Sequence, residues 1–192
     1  MTLMHDDFTT RPSTAPRKTR VWDIGVRLFH WLLVTGVLGA YIFESPRWLH
    51  LWLGYGVAGL IAFRLVWGFI GPRHARFTDF VPGPHRLITY LRDMAAGRER
   101  RYLGHNPAGG AMVMALLITL IAISVSGYMM GMDAYFGVEW VEDLHEALVN
   151  FLLLLVALHL GGVALASWRH RENLVVAMIT GEKDIDEETA HE

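Results

Sequence analysis

The sequence predicts an all-α integral membrane protein, a four-helix bundle with both chain ends on the cytoplasmic side. Three observations carry this. Hydrophobic residues make up 53% of the 192 and charged residues only 19%, with a mean hydropathy of +0.30. The apolar residues stand in long, nearly uncharged blocks and not in amphipathic stripes, as in membrane chains. Arginine and lysine collect on alternate connections between those blocks.

A hydrocarbon core of about 30 Å needs about 20 apolar residues in a helix. Four segments qualify: 26–43; 50–70, with Arg64 as its one charge; 111–130, with none; and 144–168, with Glu146 in its opening turn. Trp22, Trp31, Trp48, Trp67, Trp140 and Trp168 fall near the ends of these spans, where an aromatic belt belongs. No small-residue cleavage pattern follows the first block, which runs into YIFESP, so it reads as a retained helix and not a signal peptide.

Orientation follows from the basic residues. Arg11, Arg17, Lys18, Arg20 and Arg27 lie before or just inside the first span. Seven arginines, Arg73 to Arg101, lie between spans two and three, and Arg169, Arg171 and Lys183 follow span four. The other two connections hold only Arg47, against Glu44, Asp133, Glu139, Glu142 and Asp143. Both ends and the middle connection are therefore expected in the cytoplasm, and the short connections in the periplasm of a bacterial inner membrane. The chain divides into a polar N-terminal tail (1–20), a membrane domain (21–181) and an acidic C-terminal tail (182–192). Residues 85–96, with Leu87, Ile88, Leu91 and Met94 on one face, and 172–180 read as short amphipathic helices, lying in the interface or packed on the bundle.

The absence of cysteine excludes covalently attached c-type haem, cysteine-ligated iron–sulfur clusters and disulfides. No HExxH zinc motif, glycine-rich phosphate loop or nucleic-acid motif is visible.

Ionisable residues inside spans are costly and point to function. Four of the ten histidines, His30, His50, His145 and His159, fall in the spans or at their mouths. Singly, each has a structural reading as well as a ligand reading. Jointly they form a pattern. His145 and His159 lie on one helix, roughly 21 Å apart and within about 40° of one face. His50 stands level with His145, and His30 with His159. Two cross-helix pairs at two depths suit a haem iron, which takes axial ligands from opposite sides of its plane. The expected pairs are His50 with His145 and His30 with His159. Arg27 and Arg64 are candidates for pairing with haem propionates, though Arg64 also suits snorkelling to the interface. Gly36, Gly54, Gly127, Gly161 and Gly162 would admit a flat macrocycle or simply close helix packing.

The strings VWDIGVRLFHW, HLWLGYGVAGLIAFRLVWGFIGPRHARF, GHNPAGG, LHEALVNFLLLLVALHLGGV and ENLVVAMITGEK resemble the bacterial cytochrome b561 family, in the branch of the b-type subunits of nickel–iron hydrogenases. The resemblance covers about 21–183. It implies a four-helix bundle with two haems b, ligated by His30, His50, His145 and His159. It also implies electron exchange with quinone and with a redox protein, either a hydrogenase-like subunit or a periplasmic c-type cytochrome. Asp23, Arg27, His105 and Asn106, on the cytoplasmic side, are the candidate quinone residues.

The expected role is electron transfer across the inner membrane between the quinone pool and that partner. A stand-alone quinone-linked superoxide oxidase is the alternative, so whether the chain is itself an enzyme stays open. A histidine-based proton or metal transporter predicts ligands at one midplane site and an acidic pathway, neither of which the spans offer. A passive anchor with structural haems is a further reading.

Overall fold

The computed structural model describes residues 17–185; His5, Arg11 and His191 and most of both tails lie outside them. Its elements in order are β1 (Arg17–Arg20), α1 (Ile24–Ile42), α2 (Arg47–Ile70), a 3-10 turn (Arg73–Ala75), α3 (Phe77–Phe80), α4 (Pro84–Ala95), α5 (Pro107–Met129), α6 (Glu139–Arg169), α7 (Leu174–Thr180) and β2 (Glu182–Ile185).

Helices α1, α2, α5 and α6 are long and apolar enough to cross a membrane. They coincide with the four expected spans, and each begins a little earlier: α1 and α5 start behind the polar caps Asp23 and Asn106, and the first turns of α2 and α6 carry Arg47 and Glu139, charges that a hydropathy reading leaves out. Asp23 caps α1, its carboxylate accepting from Gly25 N at 2.8 Å and Val26 N at 3.2 Å. Asn106 caps α5 by accepting from Gly109 N at 2.7 Å, with Pro107 at the first helical position. Large apolar side chains face outward along these helices, Trp52, Phe69 and Trp168 each more than two-thirds exposed. Such a surface matches hydrocarbon and would drive association in water.

Helix α1 packs on α2, α2 on α5 and α5 on α6, with α4 lying along α5. Helix α6 makes no comparable backbone contact with α1 or α2, so that seam is bridged by side chains. At mid-depth Val57, Ile61, Leu120 and Leu152 form a buried cluster, joined by Leu33, Val37 and Val156. Leu152 lies midway along α6 between His145 and His159. The two histidine levels are thus separated by an apolar layer.

A second core caps one end of the bundle. β1 and β2 pair antiparallel, Lys18 opposite Asp184 and Thr19 opposite Lys183, and Gly181 O accepts from Val21 N and Trp22 N. Both strands fall inside stretches read from sequence as tails. Beneath the ribbon, Val21, Trp22, Val26, Ala75 and Ala177 are buried with Trp67, Leu103 and Met178 around them. Trp22 and Trp67 therefore hold the cap and are not lipid-facing anchors: Trp67 Nε1 donates to Asp23 at 3.0 Å.

The cap also buries charge. Glu172 pairs with Arg101 at 3.3 Å and with Lys183 at 3.4 Å, and Lys183 Nζ donates to Tyr102 O. Lys183 is only 4% exposed; burial pushes its pKa down, against the opposing pull of Glu172. The two amphipathic helices are present as α4 and α7. Tyr90 and Ala177 face inward while Ile88, Leu91, Val175 and Ile179 stay exposed. Arg169 ties α6 to the end of α4 through Met94 O at 2.9 Å and Glu99 at 2.6 Å.

Candidate functional site

At one level of the bundle, His50 opens α2 and His145 lies in the second turn of α6. His50 Nδ1 stands 2.9 Å from Ala40 O on α1. A carbonyl only accepts, so Nδ1 carries the proton and Nε2 the lone pair. His145 Nδ1 stands 2.9 Å from Ser126 Oγ on α5, whose hydroxyl donates to Ile123 O at 3.0 Å. With that hydrogen engaged, Ser126 accepts from His145, which again leaves Nε2 as the lone-pair nitrogen.

The two ring centres are 6.4 Å apart at 71°. Two metal–imidazole bonds of about 2 Å, with about 1 Å more from each nitrogen to its ring centre, put such centres roughly 6 Å apart. The pair thus fits two axial ligands of one iron, with both outer nitrogens anchored as metal-binding histidines require. Two glycines make room. A Cβ at Gly127 would come 3.1 Å from His145 Cε1, and one at Gly54, a turn below His50, would meet nothing within 4 Å. Gly36 serves helix packing instead, since a Cβ there would press on Val57 at 3.1 Å.

At the other level stand His30 on α1 and His159 on α6. Among the described residues, His30 Nδ1 is buried without a hydrogen-bond partner, and Trp31 stands edge-on to the ring at 5.0 Å. Arg64 repeats on α2 the interval that separates His145 from His159: it follows His50 by 14 residues, which puts it roughly 21 Å deeper on nearly the same face. It is 2% exposed, its guanidinium lying 5.0 Å from the Phe77 ring centre and 5.5 Å from that of Phe80. The guanidinium is therefore packed inside the chain and not extended to its surface. Among the described residues, Arg64 Nη1 and Arg27 Nε are buried without hydrogen-bond acceptors, while Arg27 Nη2 donates to Ile179 O. Buried guanidinium donors of this kind suit anionic oxygens such as carboxylates.

The quinone candidates divide. Asp23 and Asn106 are engaged as helix caps. His105 is wedged against Trp22 and Phe80, both ring centres at 4.7 Å, and its Nδ1 is buried without a hydrogen-bond partner among the described residues. Burial first, then the nearby charges of Arg64, Lys183 and His74, hold its pKa down to about 3, with Asp79 opposing. Sequence reasoning passed over Ser126 and the Ala40 carbonyl. The first looked like one more small helix residue, and a backbone acceptor has no sequence signature. Among the described residues no three His, Cys, Asp or Glu side chains converge as a metal site.

A profile described as prokaryotic cytochrome b561 matches residues 21–181. The chain belongs to that family. This b561 cytochrome is 24% identical to a probable Ni/Fe-hydrogenase B-type cytochrome subunit of Azotobacter chroococcum, over 84% of this chain and 86% of that one. It is 26% identical to a protein of the same description from Bradyrhizobium diazoefficiens, over 85% of each, and 23% identical to one from Rhizobium leguminosarum, over 85% and 87%. No solved structure matches it. The cytochrome is thus a multi-pass membrane protein of a b-type haem family, and membrane electron transfer is what that family implies.

Proposed function

We propose that the cytochrome holds two haems b and passes electrons across the bacterial inner membrane between quinone and a redox protein. His50 and His145 hold one haem, His30 and His159 the other, with Arg27 and Arg64 receiving the propionates of the second. The observation that carries this reading is the facing of His50 and His145 at 6.4 Å, each with its outer nitrogen anchored.

Each haem supplies a one-electron iron couple. The residues do the rest. Ser126 and Ala40 O fix the upper imidazoles, so ring orientation and ligand basicity are set before the metal arrives. The layer around Leu152 excludes water between the levels. His145 and His159, roughly 21 Å apart along α6, divide the insulating core into steps that one centre would not span. The basic connections favour the cap, both chain ends and α4 in the cytoplasm, with 21–181 as the membrane domain and His105 and Arg27 at the quinone site. The descriptions of the relatives favour a hydrogenase-like subunit as partner.

Proteoliposomes test the function. Protein reduced by quinol on one side is expected to reduce a membrane-impermeant acceptor enclosed on the other. No transfer at adequate driving force refutes it.

A further inference from the structure

Three titratable groups outside the haem sites lead inward through the cap. Asp79 and His74 stand at its surface, about a quarter exposed, with His74 Nδ1 3.1 Å from Asp79 Oδ2 and Arg73 Nε 3.3 Å from Oδ1. The His74 ring lies against the chain at Gly104, where a Cβ would come 3.1 Å from Nδ1; the next residue is His105. That side chain shares the Phe80 ring with Arg64, the cation at the lower histidine level.

We propose that Asp79, His74 and His105 carry protons between the aqueous face of the cap and a quinone bound at His105. The inference rests on the quinone reading above. Reducing a benzoquinone to its quinol takes two electrons and two protons, and each carbonyl oxygen becomes a hydroxyl. The haems, when bound, would supply the electrons singly from the redox partner. The protons come from water, through the Asp79–His74 pair to His105 and then to the carbonyl oxygens. Quinol oxidation runs the same steps backwards, delivering both protons to water.

An imidazole relays by accepting a proton at one nitrogen and releasing one from the other. Arg64 from α2, His74 from the 3-10 turn, Asp79 from α3 and Lys183 from β2 are the charged and titratable groups around His105. Three of the four disfavour its cation, so His105 stays neutral and passes a proton on instead of storing it. A purely structural Asp79–His74 contact would pin the connection and leave proton transfer unaffected.

The test uses the full-length, haem-loaded protein in nanodiscs with duroquinol. For Asp79→Asn and His74→Ala, haem reduction by duroquinol is expected to slow on the order of 100-fold. Equilibrium duroquinol binding and reduction by dithionite, which needs no relayed proton, stay at wild-type values. Added imidazole restores the rate in His74→Ala. His105→Asn repeats the slowing if it folds; the two surface variants stand without it. Wild-type rates in both surface variants, or a loss in His74→Ala that imidazole leaves untouched, overturns the path. Failure of the wild-type protein to bind duroquinol overturns the quinone reading, and the path with it.

Discussion

Ser126 on α5 receives the Nδ1 hydrogen of His145 on α6 at 2.9 Å, while its own hydroxyl hydrogen goes to Ile123 O at 3.0 Å. Ser126 is 1% exposed, so no water replaces it. Loss of such an outer partner typically weakens metal binding about 10- to 100-fold. Ser126→Ala is therefore expected to give a folded protein that sheds one haem on dilution, with the other retained. Pyridine haemochrome assay after gel filtration checks it.

Arg64 is expected to act at the other level. Arg64→Met keeps the side-chain volume and removes the buried donors. The prediction is a lower potential, or loss, of the centre at His30 and His159 alone, because a nearby cation favours neither iron state equally: it destabilises the more positive, oxidised one. A spectroscopic redox titration resolves the two centres, and movement of the His50–His145 centre would contradict the assignment.

The four spans were legible because a bilayer imposes a strict rule on length and charge, and the facing of His50 and His145 because a helix imposes a strict rule on spacing. The cap was not legible. Residues 17–20 and 182–185 are short, polar and far apart in sequence, and nothing local in either announces a partner strand. Glu172, Arg101 and Lys183 read as ordinary connection charges, since the basic bias that sets topology masks a buried pair. Asp23 and Asn106 were picked out as polar residues on the cytoplasmic side; that each also caps a helix was not legible, because capping and ligand contact use the same residue types.

Removing one partner of a buried ion pair leaves a charge without compensation, which costs about 3–5 kcal/mol. Glu172 stands between Arg101 and Lys183, both side chains at most 10% exposed. Glu172→Gln is expected to loosen the cap, with early proteolysis near β2 and a lower Tm, while haem content stays near that of the wild type. A Tm unchanged in this variant would show that the pair contributes nothing.

Gly110 sits where a Cβ would collide with Phe80 O, a contact between rigid backbones. Gly110→Ala is expected to displace α3, lowering Tm and slowing reduction by quinol more than reduction by dithionite. Gly54→Ala, whose Cβ meets nothing within 4 Å among the described residues, should leave the Tm of the haem-free protein unchanged and lower haem content.

Acid should weaken the cap through His105. Its folded pKa is about 3, against about 6.5 when unfolded. Between those values the unfolded chain binds the extra proton, so stability falls as pH drops from about 6.5 towards 3. Tm measured across that range is expected to decline less steeply in His105→Asn than in the wild type.

Haem content with ligand substitutions tests the central claim most directly. The purified protein should carry two haems b per chain, with His145→Ala and His159→Ala each retaining one and the two remaining spectra differing. One haem in the wild-type protein, or both lost in each folded variant, would contradict the assignment of two independent histidine pairs.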